Sequence, residues 1–305
     1  MPASERIVRG ILVIVIVVFS GILLVRHGSY GWTLFVTLPI ITGGIGSWVF
    51  QAATPGNAAA TGALATTLAS ASLLLIGLEG IVCIAMALPL TVSLGALGGL
   101  LFYSVRLDRL GGRGIAALFM IPSATLAYDS TTKPPGFEVR SSIEINAPPA
   151  EVWKHVVEFS ELAEPQEWYF RAGIAYPKRA RIEGAGPGAI RYCDFSTGSF
   201  VEPIEVWSEP HLLRFRVTDN PAPMREWSPY SQVQAPHLHG YFISRQGQFR
   251  LTDLGNGRTL LEGTTWYQHG LWPAGYWRWW SDAILHRIHM RVLLHIRALS
   301  EGQRS

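Results

Sequence analysis

The hydrophobic pattern of the chain changes its period near the middle. Long apolar stretches cover residues 7–25, 32–50 and 63–103. About twenty helical residues cross a bilayer core of about 30 Å, so the first two stretches predict one membrane span each. The third is long enough for two spans, and its one charged residue is Glu79. The pattern therefore predicts four spans, with the last two hinged at Glu79.

Glu79 admits two interpretations, a turn residue at the membrane interface or a functional carboxylate inside the membrane. Residues 51–62 contain the sequence Thr-Pro-Gly-Asn and predict a turn between the second and third spans. Residues 114–128 are apolar but short for a span and contain Pro122, which favours an interfacial or re-entrant helix.

Basic residues flank the predicted spans at both ends. Arg6 and Arg9 precede the first span, and Arg106, Arg109 and Arg113 follow the fourth. Positive residues favour the cytoplasmic side, so we expect a multi-pass protein of the cell membrane with a cytoplasmic C-terminal domain. If residues 114–128 cross the membrane, that domain lies outside.

The second half alternates between apolar and polar positions, as half-buried strands do. We predict an opening strand at 138–145, a helix at 150–159 and a closing helix at 274–299. Asn256-Gly257 predicts a tight hairpin turn. The strands predicted between the two helices cover residues 170–182, 189–197, 200–207, 212–218, 241–252 and 259–268. This order predicts an α+β domain in which an antiparallel sheet curves around the long C-terminal helix, preceded by an all-α transmembrane bundle.

Charge supports a division into a membrane part and a water-soluble part. Only 15% of the residues are charged and 49% are hydrophobic. Residues 1–136 hold 7 of the 25 basic and 4 of the 22 acidic residues, which leaves 18 of each in the second half. The balanced second half argues against nucleic acid as a partner. We expect a membrane domain at 1–113, an interfacial helix and linker at 114–136, and a folded domain at 137–305.

Three segments carry a resemblance to a known family. They are SSIEINAPPAEVWKHVVEF at 141–159, VEPIEVWSEPHLLRFRV at 201–217 and FRLTDLGNGRTLLEGTTWY at 249–267. The region 137–301 resembles the START-like superfamily, also called SRPBCC or helix-grip, in its polyketide cyclase/dehydrase branch. The resemblance implies a deep apolar cavity between the sheet and the long helix, which holds a lipid, a polyketide or an isoprenoid. Members include carriers, sensors and enzymes.

The implied cavity has candidate lining residues on the strands and on the last helix. Arg291 and His295 fall within the apolar stripe of that helix, and Arg291 either pairs with a sheet carboxylate such as Glu262 or meets a polar ligand group. The candidate lining residues are Trp153, Phe195, Phe215, Phe249, Tyr267, Trp277, Ile284, Ile288, Arg291 and His295.

Residues 219–240 are too long for an ordinary connection and predict a lid over the mouth of the cavity. The lid candidates are Trp227, Tyr230, His237 and His239. His237 and His239 could also begin a zinc site, but no local third ligand accompanies them. We therefore predict neither a metal nor a cofactor.

Catalytic candidates are few. Asp282, His286 and His289 follow one another at helical spacing in the last helix and could act as acid and base, although an exposed polar face has the same pattern. Cys193 has no neighbouring base, so we expect a small buried residue. The sequence thus favours a membrane-anchored domain that binds or transfers a hydrophobic ligand, with membrane lipids as neighbours. The alternatives are a cyclase/dehydratase-type enzyme and a membrane scaffold that binds a partner protein.

Overall fold

The computed structural model describes residues 3–105, 112–230, 233 and 235–302. Arg106 and Arg109, on which part of the predicted orientation rests, lie outside the described residues. The chain forms two compact units. The helical unit comprises Met1–Lys133, Glu226–His237 and Gly270–Gly275, and the sheet unit comprises Pro134–Arg225, Leu238–His269 and Tyr276–Ser305.

Five α-helices are described in the helical unit. They are α1 (Ala3–Arg26), α2 (Leu38–Val49), α3 (Pro55–Leu75), α4 (Ile81–Val105) and α5 (Gly112–Thr131). A π-helical turn at Thr33–Thr37 leads into α2, and residues 76–80 connect α3 to α4. The chain therefore turns at Glu79, as the sequence predicts.

Two of the described helices, α3 and α4, are long and apolar enough to cross a membrane. Val15–Arg26 and Thr33–Val49 are shorter apolar helical segments. Length and composition thus support two of the four predicted spans.

The turn predicted at 51–62 is wrong from Pro55 onward, because α3 begins there. Thr54 has extended backbone angles, and its Oγ1 accepts a hydrogen bond from the Asn57 N–H at 3.2 Å. Pro55 occupies the first helical position, where its missing N–H costs nothing. Thr-Pro-Gly-Asn is thus an N-terminal helix cap here.

The helix predicted at 114–128 extends further than expected, because α5 continues to Thr131. The Asp129 carboxylate accepts hydrogen bonds from the Trp32 N–H at 2.8 Å and the Thr33 N–H at 3.0 Å. These are otherwise unpaired donors at the start of a helical segment, which an acidic side chain satisfies well.

The sheet unit holds seven strands and three helices. They are β1 (Gly136–Ile145), α6 (Pro149–Val157), α7 (Trp168–Arg171), β2 (Pro177–Glu183), β3 (Ile190–Phe195), β4 (Gly198–Ser208), β5 (Leu212–Arg216), β6 (Phe242–Gly255), β7 (Arg258–His269) and α8 (Ala274–Ser300). The strands form one antiparallel sheet in the order β1-β7-β6-β5-β4-β3-β2. This sheet with its long closing helix fits the predicted helix-grip fold.

The hairpin predicted at Asn256-Gly257 is confirmed. Gly255 pairs with Arg258, and Asn256 and Gly257 have φ angles of 53° and 69°, as a two-residue turn between right-twisted strands requires. The strand predicted at 170–182 is partly wrong. Residues 168–171 form α7 instead, and β2 starts only at Pro177.

The main core lies between the sheet and two helices, α6 and α8. Val152 and Trp153 of α6 and Leu293 of α8 pack with inward strand residues such as Leu213 and Leu261. The buried positions of α8 are Trp277, Leu285, Val292, Leu293, His295 and Ile296. Ile284 and Ile288, which the sequence placed among the lining residues of this helix, are only half-buried.

Candidate functional site

Polar side chains from β1, β7 and α8 meet on the inner face of the sheet. The Ser141 hydroxyl lies 2.7 Å from His286 Nδ1 and 3.2 Å from His289 Nδ1. The Thr265 hydroxyl lies 2.8 Å from Nε2 of His289. Both ring nitrogens of His289 therefore have a hydroxyl partner. Ser141 and Thr265 point the same way because β1 pairs with β7 in a register that sets Ser141 opposite Gly263 and Val139 opposite Thr265.

A carboxylate stands one helical turn before these imidazoles. The Tyr267 hydroxyl donates to Asp282 Oδ1 at 2.5 Å, and Arg278 Nε donates to Asp282 Oδ2 at 3.0 Å. Burial raises the pKa of the Tyr267 phenol, and Asp282 raises it further. The phenol therefore remains a hydrogen-bond donor. The structure thus turns all three catalytic candidates, Asp282, His286 and His289, toward partners on the sheet.

Burial and the neighbouring His286 lower the pKa of His289 from 6.5 to about 4. A lowered pKa means that the folded state favours the neutral imidazole. The fold is therefore stabilised at pH values above the ordinary histidine pKa, and this stabilisation is lost as the pH falls toward the lower pKa of the folded state. The difference corresponds to on the order of 3 kcal/mol. We expect the full-length protein to lose stability between pH 6.5 and 4 and the His289→Gln variant to lose less. Urea unfolding of the wild type, His289→Gln and the exposed-site control His211→Gln across this pH range measures the free energy of unfolding of each. The same change of this free energy with pH in all three proteins would contradict the prediction.

A buried ion pair crosses the inner face from β3 to β4. Arg191 is 1% exposed and pairs directly opposite Glu202 in the strand register. Its Nη1 donates to Glu202 Oε2, and its Nε donates to the Val157 carbonyl at 3.1 Å. Burial raises the pKa of the Glu202 carboxyl, and the Arg191 charge opposes this rise. Each charge thus depends on the other inside the domain.

Aromatic rings surround the Arg191 guanidinium. Its central carbon lies 5.5 to 5.6 Å from the ring centres of Phe159, Phe215 and Phe249. The remaining nitrogen, Nη2, is buried and has no hydrogen-bond partner among the described residues. A buried donor without an acceptor is costly. Nη2 is therefore a hydrogen-bond donor on the inner face that no described residue uses.

Residues 136–269 match the family model described as "Polyketide cyclase / dehydrase and lipid transport". The match covers all seven strands and ends before α8. It includes Ser141, Arg191, Glu202, Thr265 and Tyr267. The expected resemblance is therefore confirmed for this region at the level of the family model.

Solved structures also resemble the chain, at low identity. Truncated norcoclaurine synthase from Thalictrum flavum has 10% identity and a TM-score of 0.36, and the match covers 57% of this chain and 99% of that one. The Zhui aromatase/cyclase from Streptomyces sp. R1128 has 15% identity and a TM-score of 0.35, and the match covers 55% of this chain and 94% of that one. No curated protein matches this chain.

The predicted lining residues fall into two apolar clusters of the matched region and α8. Trp153 and Phe215 are buried in the main core, and Phe195 and Phe249 pack at its edge. Tyr267 forms a second cluster with Val139 and Leu285, to which Ile288 adds. Trp277 is buried, and Ile284 is half-buried.

Arg291 does not pair with Glu262. Its Nη2 donates to the Ala163 carbonyl, and its Nε donates to the Pro177 carbonyl at 3.4 Å. Glu262 instead lies 3.7 Å from Arg140. His295 is buried against the Phe159 ring, with its Nε2 3.5 Å from the Ser160 hydroxyl. Two guanidinium nitrogens of Arg291 therefore donate to backbone carbonyls rather than to a sheet carboxylate.

The predicted lid residues divide between the two units. Trp227, Tyr230 and His237 belong to the helical unit, and His239 belongs to the sheet unit. The Trp227 carbonyl accepts a hydrogen bond from the Ile81 N–H at 2.8 Å, and the Tyr230 hydroxyl donates to the Leu75 carbonyl. Trp227 and Tyr230 therefore lie next to the connection between α3 and α4.

Sequence reasoning missed Ser141, Thr265, Arg191 and Glu202. A signal existed for Arg191, because it alternates with Ala189 and Cys193 along one strand face. Charged residues are rarely buried unless paired, and the partner lies on another strand, so a single segment does not reveal the pair.

Proposed function

We propose that the sheet unit binds a hydrophobic small molecule of lipid, polyketide or isoprenoid type between the sheet and α8, with Arg191 as the partner of its polar end. The observation that carries this proposal is the buried Arg191 nitrogen without a hydrogen-bond partner inside a ring of phenylalanines. Apolar burial of about 25 cal/mol per Å² would drive entry, and one polar contact would fix the orientation. The family match of residues 136–269 supports the same ligand class.

We further propose that the helical unit anchors the protein in a membrane, with the sheet unit on the cytoplasmic side. Large apolar side chains of α1, α3 and α4 are exposed, and a surface of this kind needs an apolar environment. Examples are Phe19, Leu64, Leu68, Leu97 and Leu101. Anchoring would keep the binding domain beside membrane lipids. The cytoplasmic orientation rests on the arginine bias of the sequence.

Binding can be tested with the full-length protein in detergent by native mass spectrometry, with 8-anilinonaphthalene-1-sulfonate as the probe, because it combines an apolar body with one anionic group. Gly263 is buried on the inner face, and a Cβ there would lie 3.7 Å from Leu293 and Phe249. The larger side chain of Gly263→Leu would occupy the space between the sheet and α8.

We expect the wild type to retain one probe molecule after the micelle is removed, and Gly263→Leu to lose at least tenfold in affinity. Thr252→Leu, on an exposed position of β6, adds the same side chain outside and should bind as the wild type does. Equal retention by Gly263→Leu would reject the proposed site, and no retention by the wild type would favour a scaffold role.

The convergence of Asp282, His286 and His289 on Ser141 and Tyr267 favours a second candidate, an acid–base enzyme of cyclase/dehydratase type that acts on the same ligand. If this enzyme role holds, Asp282→Asn should retain a substrate that the wild type converts. The ligand extracted from the variant would then differ in mass from the wild-type ligand, for a dehydratase by one water. A cyclisation without loss of water leaves the mass unchanged, so only ligands identical in both mass and chromatographic retention would favour binding without chemistry.

A further inference from the structure

A second polar cluster lies within the helical unit, where the start of α4 lies close to Glu226 and His237. Glu79, Cys83 and His237 each offer one potential metal-ligand atom, and these atoms all lie within 4.8 Å of one another. Glu79 Oε2 is 3.3 Å from His237 Nδ1. Two ligands of a tetrahedral zinc ion, each at about 2.0–2.1 Å, stand about 3.3 Å apart. The carboxylate and the imidazole are thus already at ligand spacing.

Partners of the kind that orient metal ligands surround this group. The Tyr30 hydroxyl donates to the other Glu79 oxygen, Oε1, at 2.5 Å. On the far side of the imidazole, His237 Nε2 is 3.4 Å from Glu226 Oε1. A histidine that binds metal through one nitrogen usually offers the other N–H to a carboxylate, which fixes the tautomer. Glu226 is placed for that role.

Several of these buried atoms have no hydrogen-bond partner among the described residues. They are Glu79 Oε2, both carboxylate oxygens of Glu226, and His237 Nε2. The side chain of Glu226 is fully buried, and that of His237 is 6% exposed. Buried carboxylates are costly unless paired or bound to a metal. The two carboxylates facing a single imidazole therefore call for a further cation.

The backbone holds the cluster together. The Ile81 N–H donates to the Trp227 carbonyl at 2.8 Å, and this ties the start of α4 to the residue after Glu226. Gly80 leaves the space that the Glu226 carboxylate fills, because a Cβ at Gly80 would lie 1.9 Å from Glu226 Oε2. Any larger residue at position 80 would push the carboxylate away. The cluster is thus built into the chain and does not depend on flexible surface side chains.

The cluster also borders an apolar pocket of about 90 Å³, which is lined mainly by residues of α1–α4. Tyr30, Glu79 and Cys83 contribute to its wall, and most of the remaining wall is apolar. Three protein ligands leave a fourth tetrahedral position, as in zinc sites that bind a water or a substrate. The pocket offers room for such a fourth ligand.

We propose that Glu79, Cys83 and His237 bind a divalent transition-metal ion of the zinc class, with Glu226 and Tyr30 as positioning residues. A thiolate, an imidazole and a carboxylate together suit zinc and its neighbours, whereas calcium and magnesium prefer oxygen ligands throughout. The sequence alone does not indicate this site, because Glu79 and Cys83 are spaced one helical turn apart in the sequence but His237 lies far along the chain from both. The His237–His239 pair suggested zinc instead, and His239 belongs to the other unit.

Full-length protein in detergent, stripped with a chelator, provides the test, with Zn²⁺ and Co²⁺ alone as probes. We expect one ion per chain, a thiolate-to-cobalt charge-transfer band in the near ultraviolet, and a rise in Tm with Zn²⁺. Cys83→Ser should abolish the band, whereas Cys193→Ser at the other free cysteine should retain it. Glu226→Gln should weaken Zn²⁺ binding 10- to 100-fold, as loss of a ligand-orienting partner does.

The wild-type spectrum alone can overturn the proposal, so a variant that fails to fold does not remove the test. No thiolate band, or less than one ion per chain at saturation, would reject the site. A band that survives Cys83→Ser would also reject it. His239→Gln is the control for general loss of histidine, and it should bind Zn²⁺ like the wild type.

Discussion

Arg191→Met is expected to destabilise the sheet unit by about 3–5 kcal/mol near neutral pH, the usual cost of leaving one member of a buried ion pair without its partner. Arg191 and Glu202 face each other across β3 and β4, away from water. Without the guanidinium, Glu202 must either stay charged in an apolar site or take up a proton. Urea unfolding of the full-length protein, followed by tryptophan fluorescence, would measure the loss.

The double variant Arg191→Met/Glu202→Leu separates stability from binding. Replacing a buried ion pair by apolar residues is often neutral or stabilising, so the double variant should regain most of the lost stability. It should still bind the anionic probe more weakly than the wild type, because the donor for its polar end is gone. A double variant as unstable as Arg191→Met would contradict the account of the pair, and undiminished binding would contradict the role of Arg191.

Gly95→Leu is expected to prevent assembly of the helical unit. A Cβ at Gly95 would lie 2.1 Å from Thr66 Oγ1 and 2.9 Å from the Gly62 carbonyl oxygen. From α2, a Cβ at Gly43 would come within 1.9 Å of the Gly95 carbonyl oxygen. Small residues allow this close approach of α2, α3 and α4, as is common between membrane helices. Overpacking typically costs about 1–3 kcal/mol, and here rigid backbone surrounds the site.

Gly21 provides the matched control, because a Cβ there would meet only Leu38 at 3.9 Å. Alanine stabilises a helix relative to glycine by roughly 0.5–1 kcal/mol, so Gly21→Ala should be neutral or stabilising. Gly95→Ala should instead lower the Tm of the detergent-solubilised protein, and Gly95→Leu should aggregate on size-exclusion chromatography. A monodisperse Gly95→Leu protein with an unchanged Tm would show that α4 does not pack as closely as described.

Local patterns predicted most of the sheet unit. Apolar alternation located the later strands, and Asn256-Gly257 fixed the β6–β7 hairpin, because its two residues tolerate positive φ angles. The strand predicted at 170–182 was wrong over residues 170–176, because their aromatic content resembles that of a strand, whereas Phe170 is buried from a single helical turn. The turn predicted around Thr54-Pro55 was wrong because a helix cap and a turn use the same residue types.

The candidate sites depend on contacts that one segment cannot reveal. The spacing of Asp282, His286 and His289 indicated one helix face, but their partners Ser141, Thr265 and Tyr267 are set by strand register. The predicted buried face of α8 is rotated relative to the observed one. Leu285, Val292 and Leu293 are buried, whereas the sequence predicted Ile284 and Ile288 there. The Arg191–Glu202 pair arises only once β3 and β4 lie side by side.

The central claim is that the sheet unit holds a hydrophobic ligand between the sheet and α8. The most direct measurement is native mass spectrometry of the full-length protein as purified from its host, followed by solvent extraction and mass identification of any bound molecule. We expect one apolar molecule per chain in the wild type and in Thr252→Leu, and its loss in Gly263→Leu. A wild-type protein without any bound molecule, or the same molecule in equal amount in Gly263→Leu, would contradict the claim.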